Sequence, residues 1–385
     1  KEWSNTKPNW FSSNGEQLCY TAHGNTADYN AMVAEAVANI KALLLAEPTK
    51  TLFSITQMDT RTWCTCTACK ALNTKYGTDA VSQIYFVNDV TDILNEWLLK
   101  EQSGREVQFA IFAYYTTKTA PATKNADGTW TAIDETVILN DNVSVWIAPI
   151  EDDFRININS AEASKNNMRT MVESWSACAG SYFVWAYDTY FNNYMVPYDT
   201  YDAMQDMIRF CTEYDTKFMY AQGAHDLTQN TSFGDLKAYL YAELMWNCNL
   251  DVNTLINNFF ADVYKEAGDT MKSVFEAWRE KSDDFGGNIY SSSDSWYEIY
   301  RSFDTAWLRK QLGLLETAIS QISAYKTSDS ALYTAIYDSI VAESISLRYL
   351  YKERNRTEYS SSAWGKLADD AARLGVNRLS EGVEF

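Results

Sequence analysis

The sequence predicts an α/β fold built on a parallel sheet, namely a TIM-type (β/α)8 barrel followed by a C-terminal α-helical domain. Over the first two-thirds of the chain, short runs rich in Phe, Val, Ile, Tyr or Trp alternate with helical patterns. Runs such as Phe183 to Tyr187 are apolar throughout, which is typical of parallel strands covered on both faces. No Gly-rich phosphate-binding motif follows any run, so a barrel is favoured over an open nucleotide-binding sheet.

Six apolar runs are predicted to be strands of this sheet. A complete barrel needs eight β/α units, so the first two units are expected to be missing here or to lie in a separate segment. The runs are residues 17–21, 51–56, 107–114, 143–149, 182–187 and 217–220. Helical patterns separate them at residues 28–45, 80–100, 161–178, 201–214 and 233–246.

A second region begins near residue 251, where the pattern becomes helical throughout. Asp251 is placed to cap the first helix of this region and Gly268 to end it. Further apolar residues recur at spacings of three and four. We therefore expect a barrel domain over residues 1–250 and a C-terminal helical domain over residues 251–385.

Charge and hydropathy argue against two classes of partner. The chain carries 51 acidic and 32 basic side chains, with a net charge of −19, and affinity for nucleic acid comes from Lys and Arg. No apolar stretch reaches the roughly 18 to 20 residues that a membrane span requires. The chain begins at Lys1 without a signal-like segment, so we expect it to be a processed piece of a longer protein.

The aromatic content points towards sugars. Aromatic residues make up 15% of the chain, whereas His occurs only twice, so carboxylates are expected to carry any acid and base chemistry. Trp and Tyr faces pack on sugar rings, and paired carboxylates cleave glycosidic bonds. Most of the rings are nevertheless expected to belong to the core.

Residues just after the strands are the candidates for a site, because in a barrel these positions meet at one mouth. The predicted catalytic carboxylates are Asp59, Glu151 and Asp188. The predicted substrate-binding residues are Gln57, Tyr115, Trp146, Trp185, Tyr187, Gln222 and His225.

Four cysteines form the sharpest local pattern. Cys64, Cys66 and Cys69 follow the second predicted strand, and Cys19 lies in the first. If neighbouring strands bring these loops together, four thiolates could form a closed tetrahedral zinc site. Disulfides, in an exported protein, and free buried thiols are the alternatives.

These motifs resemble those of a known family. Residues 53–59, followed by Trp63-Cys64-x-Cys66-x-x-Cys69, resemble the signature of a bacterial glycosidase-like domain family catalogued as of unknown function. Part of that family is classified as glycoside hydrolase family 163, endo-β-N-acetylglucosaminidases that act on complex N-glycans. The resemblance covers about residues 8 to 270, including 9–11, 17–19, 146–150, 185–194, 222–223 and 236–251.

The resemblance implies a barrel glycosidase of secreted or cell-surface proteins, acting on glycans or glycoproteins. The leading hypothesis is a retaining, substrate-assisted β-N-acetylglucosaminidase in which Asp59 is the general acid or orients the acetamide, with Glu151 or Asp188 as its partner. No catalytic cofactor is expected, and zinc would be structural. Many relatives have Asn where this chain has Met58 and Glu where it has Ala221.

Two other functions compete with this hypothesis. Met58 and Ala221 favour a non-catalytic carbohydrate-binding module of a cell-surface protein. An α-glucuronidase-like exo-enzyme would need basic residues for a uronate carboxylate, and Arg61 and Arg155 are the candidates. Fold alone does not decide among the three.

Overall fold

The computed structural model describes residues 2–224, 232–285, 296–357 and 359–385. Its strands are β1 (Leu52–Ser54), β2 (Gln108–Ala113), β3 (Ala122–Lys124), β4 (Trp130–Ala132), β5 (Val143–Ile147), β6 (Tyr182–Tyr187), β7 (Thr216–Gln222), β8 (Arg378–Ser380) and β9 (Val383–Glu384). Its helices are α1 (Glu2–Thr6), α2 (Thr26–Ala46), α3 (Thr67–Tyr76), α4 (Ala80–Glu101), α5 (Met168–Trp175), α6 (Tyr201–Glu213), α7 (Gly234–Trp246), α8 (Val252–Tyr264), α9 (Gly268–Asp283), α10 (Trp296–Ser302), α11 (Thr305–Gln321), α12 (Tyr325–Ser328), α13 (Ser330–Arg354) and α14 (Ser361–Arg373).

The central sheet has five parallel strands in the order β1-β2-β5-β6-β7. The predicted (β/α)8 barrel is therefore wrong, since eight β/α units are not found within the described ranges. Five of the six predicted strands are confirmed. The alternation of strands and helices predicted parallel pairing correctly, but closure into a barrel depends on strand number, tilt and stagger, which no local pattern encodes.

The first predicted strand, residues 17–21, is instead the end of a hairpin-like segment. Leu18 forms an isolated antiparallel bridge with Phe11, and the Cys19 N–H donates to the Trp10 carbonyl at 2.9 Å. A 3-10 turn begins directly afterwards, at Ala22. The apolar run therefore pairs with its own neighbour in sequence and adds nothing to the sheet.

One compact unit comprises residues 1–149, 167–185 and 211–220. Its core lies on one face of the sheet, where Phe109, Ile111 and Ala113 of β2 are fully buried. The long helix α4 contributes Ile84, Val87, Val90 and Leu94 to the buried side chains. The continuous apolar strands and the apolar spacing of α4 therefore both contribute buried side chains to this unit.

The other compact unit comprises residues 150–166, 186–210 and 221–385. The predicted C-terminal helical region is confirmed, and Asp251 caps α8 by accepting the Thr254 N–H at 2.7 Å. Gly268, however, begins α9 instead of ending a helix. A Cβ at this position would lie 2.8 Å from the Phe260 carbonyl oxygen, so close packing of two backbones requires the glycine.

Among the described helices, none combines the length and the apolar character needed to cross a membrane.

Glu343 belongs to α13, and its buried carboxyl group contacts the residue just before α7. It is 4% exposed and accepts the Phe233 N–H at 2.7 Å. Burial raises the pKa of Glu343 to about 8, with a further increase from Asp235 that the Phe233 hydrogen bond opposes. Tyr264 of α8 and Tyr201 of α6 lie within its field, since the Glu343 charge contributes to their raised pKa values. Folding therefore favours protonated Glu343 at neutral pH.

We expect Glu343→Gln to stabilise the protein at pH 8 but not at pH 4. The folded pKa of Glu343 lies above its ordinary value of 4.5, so its contribution to stability is fully present below pH 4.5 and is lost as the pH rises towards 8. The variant should gain on the order of 3 kcal/mol of unfolding free energy at pH 8. Urea unfolding across this pH range measures the gain. The exposed Glu316→Gln is the control, and an equal gain in both variants would contradict the assignment.

Candidate functional site

The four predicted metal ligands come together in the first unit. The Sγ atoms of Cys19, Cys64, Cys66 and Cys69 all lie within 4.8 Å of one another. The Cys19 sulfur is 3.7 Å from that of Cys66 and 3.8 Å from that of Cys69. Four sulfurs held 2.3 Å from a central zinc ion would be about 3.8 Å apart. The cluster therefore has the dimensions of a tetrahedral metal site, and it could bind a metal ion.

Local backbone structure points donors at these sulfurs. Cys66 caps α3, and its Sγ accepts the Cys69 N–H at 3.4 Å. The Cys19 Sγ accepts the His23 N–H at 3.1 Å. The Thr21 hydroxyl lies 3.4, 3.6 and 3.2 Å from the sulfurs of Cys19, Cys66 and Cys69. Such donors stabilise thiolates, which are the form that binds metal.

The cysteines share protons unequally. The hydrogen bond with Cys69 lowers the pKa of Cys19 to about 4, helped by Thr21 and His23. The same bond, together with burial, raises the pKa of Cys69. Burial raises the pKa of Cys64 to about 12. All seven cysteines of the chain are free, and the sulfur separations in the cluster far exceed the roughly 2.05 Å of a disulfide.

Asp59 lies in the exposed loop that follows β1. Gln57, two residues earlier, points inwards: its side chain donates to Thr117 at 2.9 Å and accepts from Gln83 at 3.0 Å. The predicted substrate-binding amide thus anchors the Asp59 loop to the loop after β2.

Tyr115 follows β2 and is held in a left-handed conformation, with φ of 46°. The Arg61 guanidinium lies over its ring at 4.7 Å, and the Tyr114 ring centre is 4.0 Å away. A left-handed backbone at a non-glycine residue is strained and is common at functional sites. The predicted binding residue Tyr115 therefore lies between the Arg61 guanidinium and the Tyr114 ring.

Trp146 and Trp185 belong to an aromatic cluster on one face of the sheet. Phe112, Trp146 and Phe183 are register partners across β2, β5 and β6, and Trp185, two residues after Phe183, points to the same side. The rings of Trp146 and Trp185 are 5.6 Å apart. Phe112 lies 5.3 and 5.8 Å from them.

Strand β7 extends this aromatic face. The Phe218 ring lies 5.7 Å from Trp146, and the Tyr220 ring lies 4.8 Å from Trp185. Phe218 and Tyr220 are 45% and 42% exposed. We call the set Phe112, Trp146, Phe183, Trp185, Phe218 and Tyr220 the aromatic face.

Glu151 lies after β5 in the second unit and is exposed, whereas Asp152 and Asp153 beside it are buried. Arg155 donates to both carboxylate oxygens of Asp153, at 2.9 and 2.7 Å. The pair lines a cleft of about 470 Å³. Because Asp153 holds Arg155, that guanidinium is engaged in an internal ion pair.

Asp188 follows β6 and is 6% exposed. Its carboxylate accepts from Thr200 and lies 3.5 Å from the Lys237 ammonium. Lys237 also donates to the Asp188 carbonyl at 2.8 Å. Burial raises the pKa of Asp188, while Lys237 and Thr200 oppose the increase.

The remaining predicted residues are distributed as follows. Tyr187 is buried, with its ring 5.9 Å from Phe154 and 6.0 Å from Phe191. Gln222 is half-buried and its carbonyl accepts the Asp188 N–H at 2.9 Å. His225 lies outside the described residues.

Sequence reasoning missed several residues that shape these sites. Phe112, Phe218 and Tyr220 complete the aromatic face, and their alternation along β2 and β7 was the available signal. Thr21 and Gln17 had no such signal, because their roles depend on hydrogen bonds to residues 48 and 41 positions away.

These features define an α/β protein with a five-stranded parallel sheet, a four-cysteine cluster and a C-terminal helical region. A family model described as Domain of unknown function (DUF4838) matches residues 1–276, and the chain belongs to that family. A comparison with curated proteins finds no match. The expected membership of a family of unknown function is thus confirmed, whereas the likeness to glycoside hydrolase family 163 rests on the sequence motifs alone.

We expect Lys237→Met to destabilise the second unit by on the order of 3 kcal/mol, because it leaves the buried Asp188 charge uncompensated. Adding Asp188→Asn should recover part of this loss. Urea unfolding of both variants measures the coupling, with the exposed Lys310→Met as control. A double variant no more stable than Lys237→Met would show that the pair is not coupled.

Proposed function

We propose that the chain is a carbohydrate-active protein, a glycoside hydrolase acting on N-acetylated glycans. The observation that carries the proposal is the aromatic face, on which two tryptophans and a tyrosine from three strands are in ring contact and partly exposed. Sugar rings stack on such surfaces through their apolar C–H faces. The motif resemblance to β-N-acetylglucosaminidases and the expected secreted or cell-surface location agree with this substrate class.

Asp59 is the carboxylate that we assign to the chemistry. Its loop is exposed and anchored through Gln57, and it lies beside the loop that carries Tyr115 because β1 and β2 are parallel neighbours. In a retaining, substrate-assisted route, Asp59 would act as general acid or orient the substrate acetamide. Glu151 and Asp188 belong to the second unit, and their role as the partner of Asp59 stays a prediction.

A non-catalytic carbohydrate-binding module is the second candidate. Ala221 stands where many relatives of the resembled family carry Glu. Asp188, one of the predicted partners, already neutralises the buried Lys237. Both observations favour a domain that binds glycans through the aromatic face without cleaving them.

We expect Asp59→Asn to lower turnover of complex N-glycoproteins or aryl β-N-acetylglucosaminides by about 100-fold or more, as for the loss of a general acid. Glycan binding should persist in this variant, whereas Trp185→Ala should weaken it because the stacking surface is lost. Product release and glycan-array binding measure the two effects. Asp141→Asn is the matched control, since Asp141 is exposed at the opposite end of the strands.

Binding without turnover in the wild type would select the binding module. Turnover unaffected by Asp59→Asn would remove Asp59 from the chemistry. If the wild type neither binds nor cleaves any glycan, the carbohydrate proposal is wrong.

We also propose that the cysteine cluster binds one zinc ion in a structural role. Four thiolate ligands saturate tetrahedral zinc and leave no open position for substrate. Cys19, Cys64 and Cys69 are buried, and Cys66 is half-buried, so solvent has little access. The ion would join the N-terminal hairpin to the loop after β1.

We expect the purified chain to contain one zinc ion per molecule, and Cys69→Ser to weaken zinc binding. The loss should exceed the roughly 10- to 100-fold expected for an outer hydrogen-bonding partner. Elemental analysis and chelator competition measure stoichiometry and affinity. Cys248→Ser is the matched control, because Cys248 lies outside the cluster. Equal zinc content in both variants would contradict the site.

A further inference from the structure

Gln17 is a fully buried amide that holds the backbone of the Asp59 loop. Its exposure is 0%. The Gln17 Oε1 accepts the Met58 N–H at 3.2 Å, and its Nε2 donates to the Met58 carbonyl at 3.4 Å. One side chain thus binds both the N–H and the carbonyl group of Met58, the residue directly before Asp59, and so fixes the backbone there. We call these two hydrogen bonds the Gln17 clamp.

Local hydrogen bonds shape the hairpin that carries Gln17. Ser12 and Gln17 exchange two hydrogen bonds, from the Ser12 N–H at 2.8 Å and from the Gln17 N–H at 3.1 Å. Leu18 forms an isolated antiparallel bridge with Phe11. Cys19, a member of the sulfur cluster, follows two residues after Gln17.

The far end of the Asp59 loop is fixed to the same cluster. Cys64 lies five residues after Asp59 and belongs to the cluster. Trp63 stacks on Tyr20 with ring centres 5.5 Å apart, and the Thr62 hydroxyl donates to Glu16 at 3.3 Å. Residues 58 to 64 therefore form a short loop closed on both sides by the hairpin that carries Cys19.

We propose that Gln17 is a positioning residue that transmits metal binding at the four cysteines to Asp59. The inference rests on the proposed zinc site and deepens the proposed role of Asp59. A zinc ion bound by Cys19 and Cys64 would hold the hairpin against the Asp59 loop. Gln17, on the same hairpin, then fixes the backbone of Met58 through its two hydrogen bonds. Without the metal the hairpin is less firmly held. The two hydrogen bonds from Gln17 to Met58 then weaken, and the Asp59 loop becomes more mobile.

A second anchor makes the role of Gln17 separable from folding. Gln57 remains bound to Thr117 and Gln83 whatever happens at Gln17. The Asp59 loop therefore stays attached to the sheet when the hydrogen bonds from Gln17 are removed. What changes is the effect of zinc on hydrogen exchange in the loop.

The test is hydrogen exchange of the peptide covering residues 57–63, in zinc-loaded and chelator-treated full-length chain. In the wild type, zinc should slow exchange of this peptide by about tenfold, the scale of two hydrogen bonds. In Gln17→Met this zinc effect should vanish while one zinc ion still binds at saturating metal. Ser13→Ala, a change at an exposed position of the same hairpin, should keep it.

Gln17→Asn serves if Gln17→Met does not fold, since it keeps a neutral amide in the buried position but is one methylene shorter, which weakens both contacts with the Met58 backbone. The effect of zinc on exchange in this variant should fall between those in the wild type and in Gln17→Met. A full zinc effect in the Gln17 variants, or none in the wild type, overturns the proposal. Absence of bound zinc in the wild type overturns it together with the metal site.

Turnover separates this proposal from the glycosidase proposal. If the wild type cleaves glycans, Gln17→Met should lower kcat with little change in KM, because substrate stacks elsewhere. If no glycan is cleaved, the exchange measurement still decides the coupling.

Discussion

Parallel pairing of β2 with β1 on one side and β5 on the other is the constraint on which the sites of the first unit depend. Because parallel strands end at the same edge, the loops that carry Asp59 and Tyr115 lie side by side. The same register aligns Phe112, Trp146 and Phe183 in one row. Phe109, Ile111 and Ala113 lie on the opposite face of β2, which is buried.

The cysteine cluster brings the N-terminal hairpin, through Cys19, to the loop after β1. Residues 7 to 25 contain short 3-10 turns and one isolated bridge, and Trp10, Tyr20 and Ala22 among them are buried. Sulfur ligation of a metal ion would add to this packing, as in small metal-stabilised domains. Gln17, which lies between this segment and the Asp59 loop, links the stability of the N-terminus to the geometry of the candidate site.

Buried charge organises the second unit. Arg155 and Asp153, Lys237 and Asp188, and Arg279 and Asp199 form ion pairs in which at least one member is almost fully buried or shielded. Such pairs contribute little net stability compared with apolar substitutes, but breaking one leaves a costly charge. They therefore favour one arrangement of the segments after β5 and β6 over the alternatives. Glu343 solves the same problem differently, since its raised pKa keeps it neutral.

The sequence alone determined the elements whose signal is local. Apolar runs and helical spacing located five strands and the long helices α2 and α4 to within a few residues. The Cys spacing identified Cys64, Cys66 and Cys69, and Cys19 was added as part of a predicted neighbouring strand; the cluster is confirmed, but Cys19 reaches it from a hairpin. Tertiary structure alone decided what depends on distant partners: five strands in place of eight, the hairpin at Cys19, the inward turn of Gln57 and the Gln17 clamp. The physical reason is that strand number and long-range hydrogen bonds follow from which segments meet, and a periodic pattern records only which face of each segment is apolar.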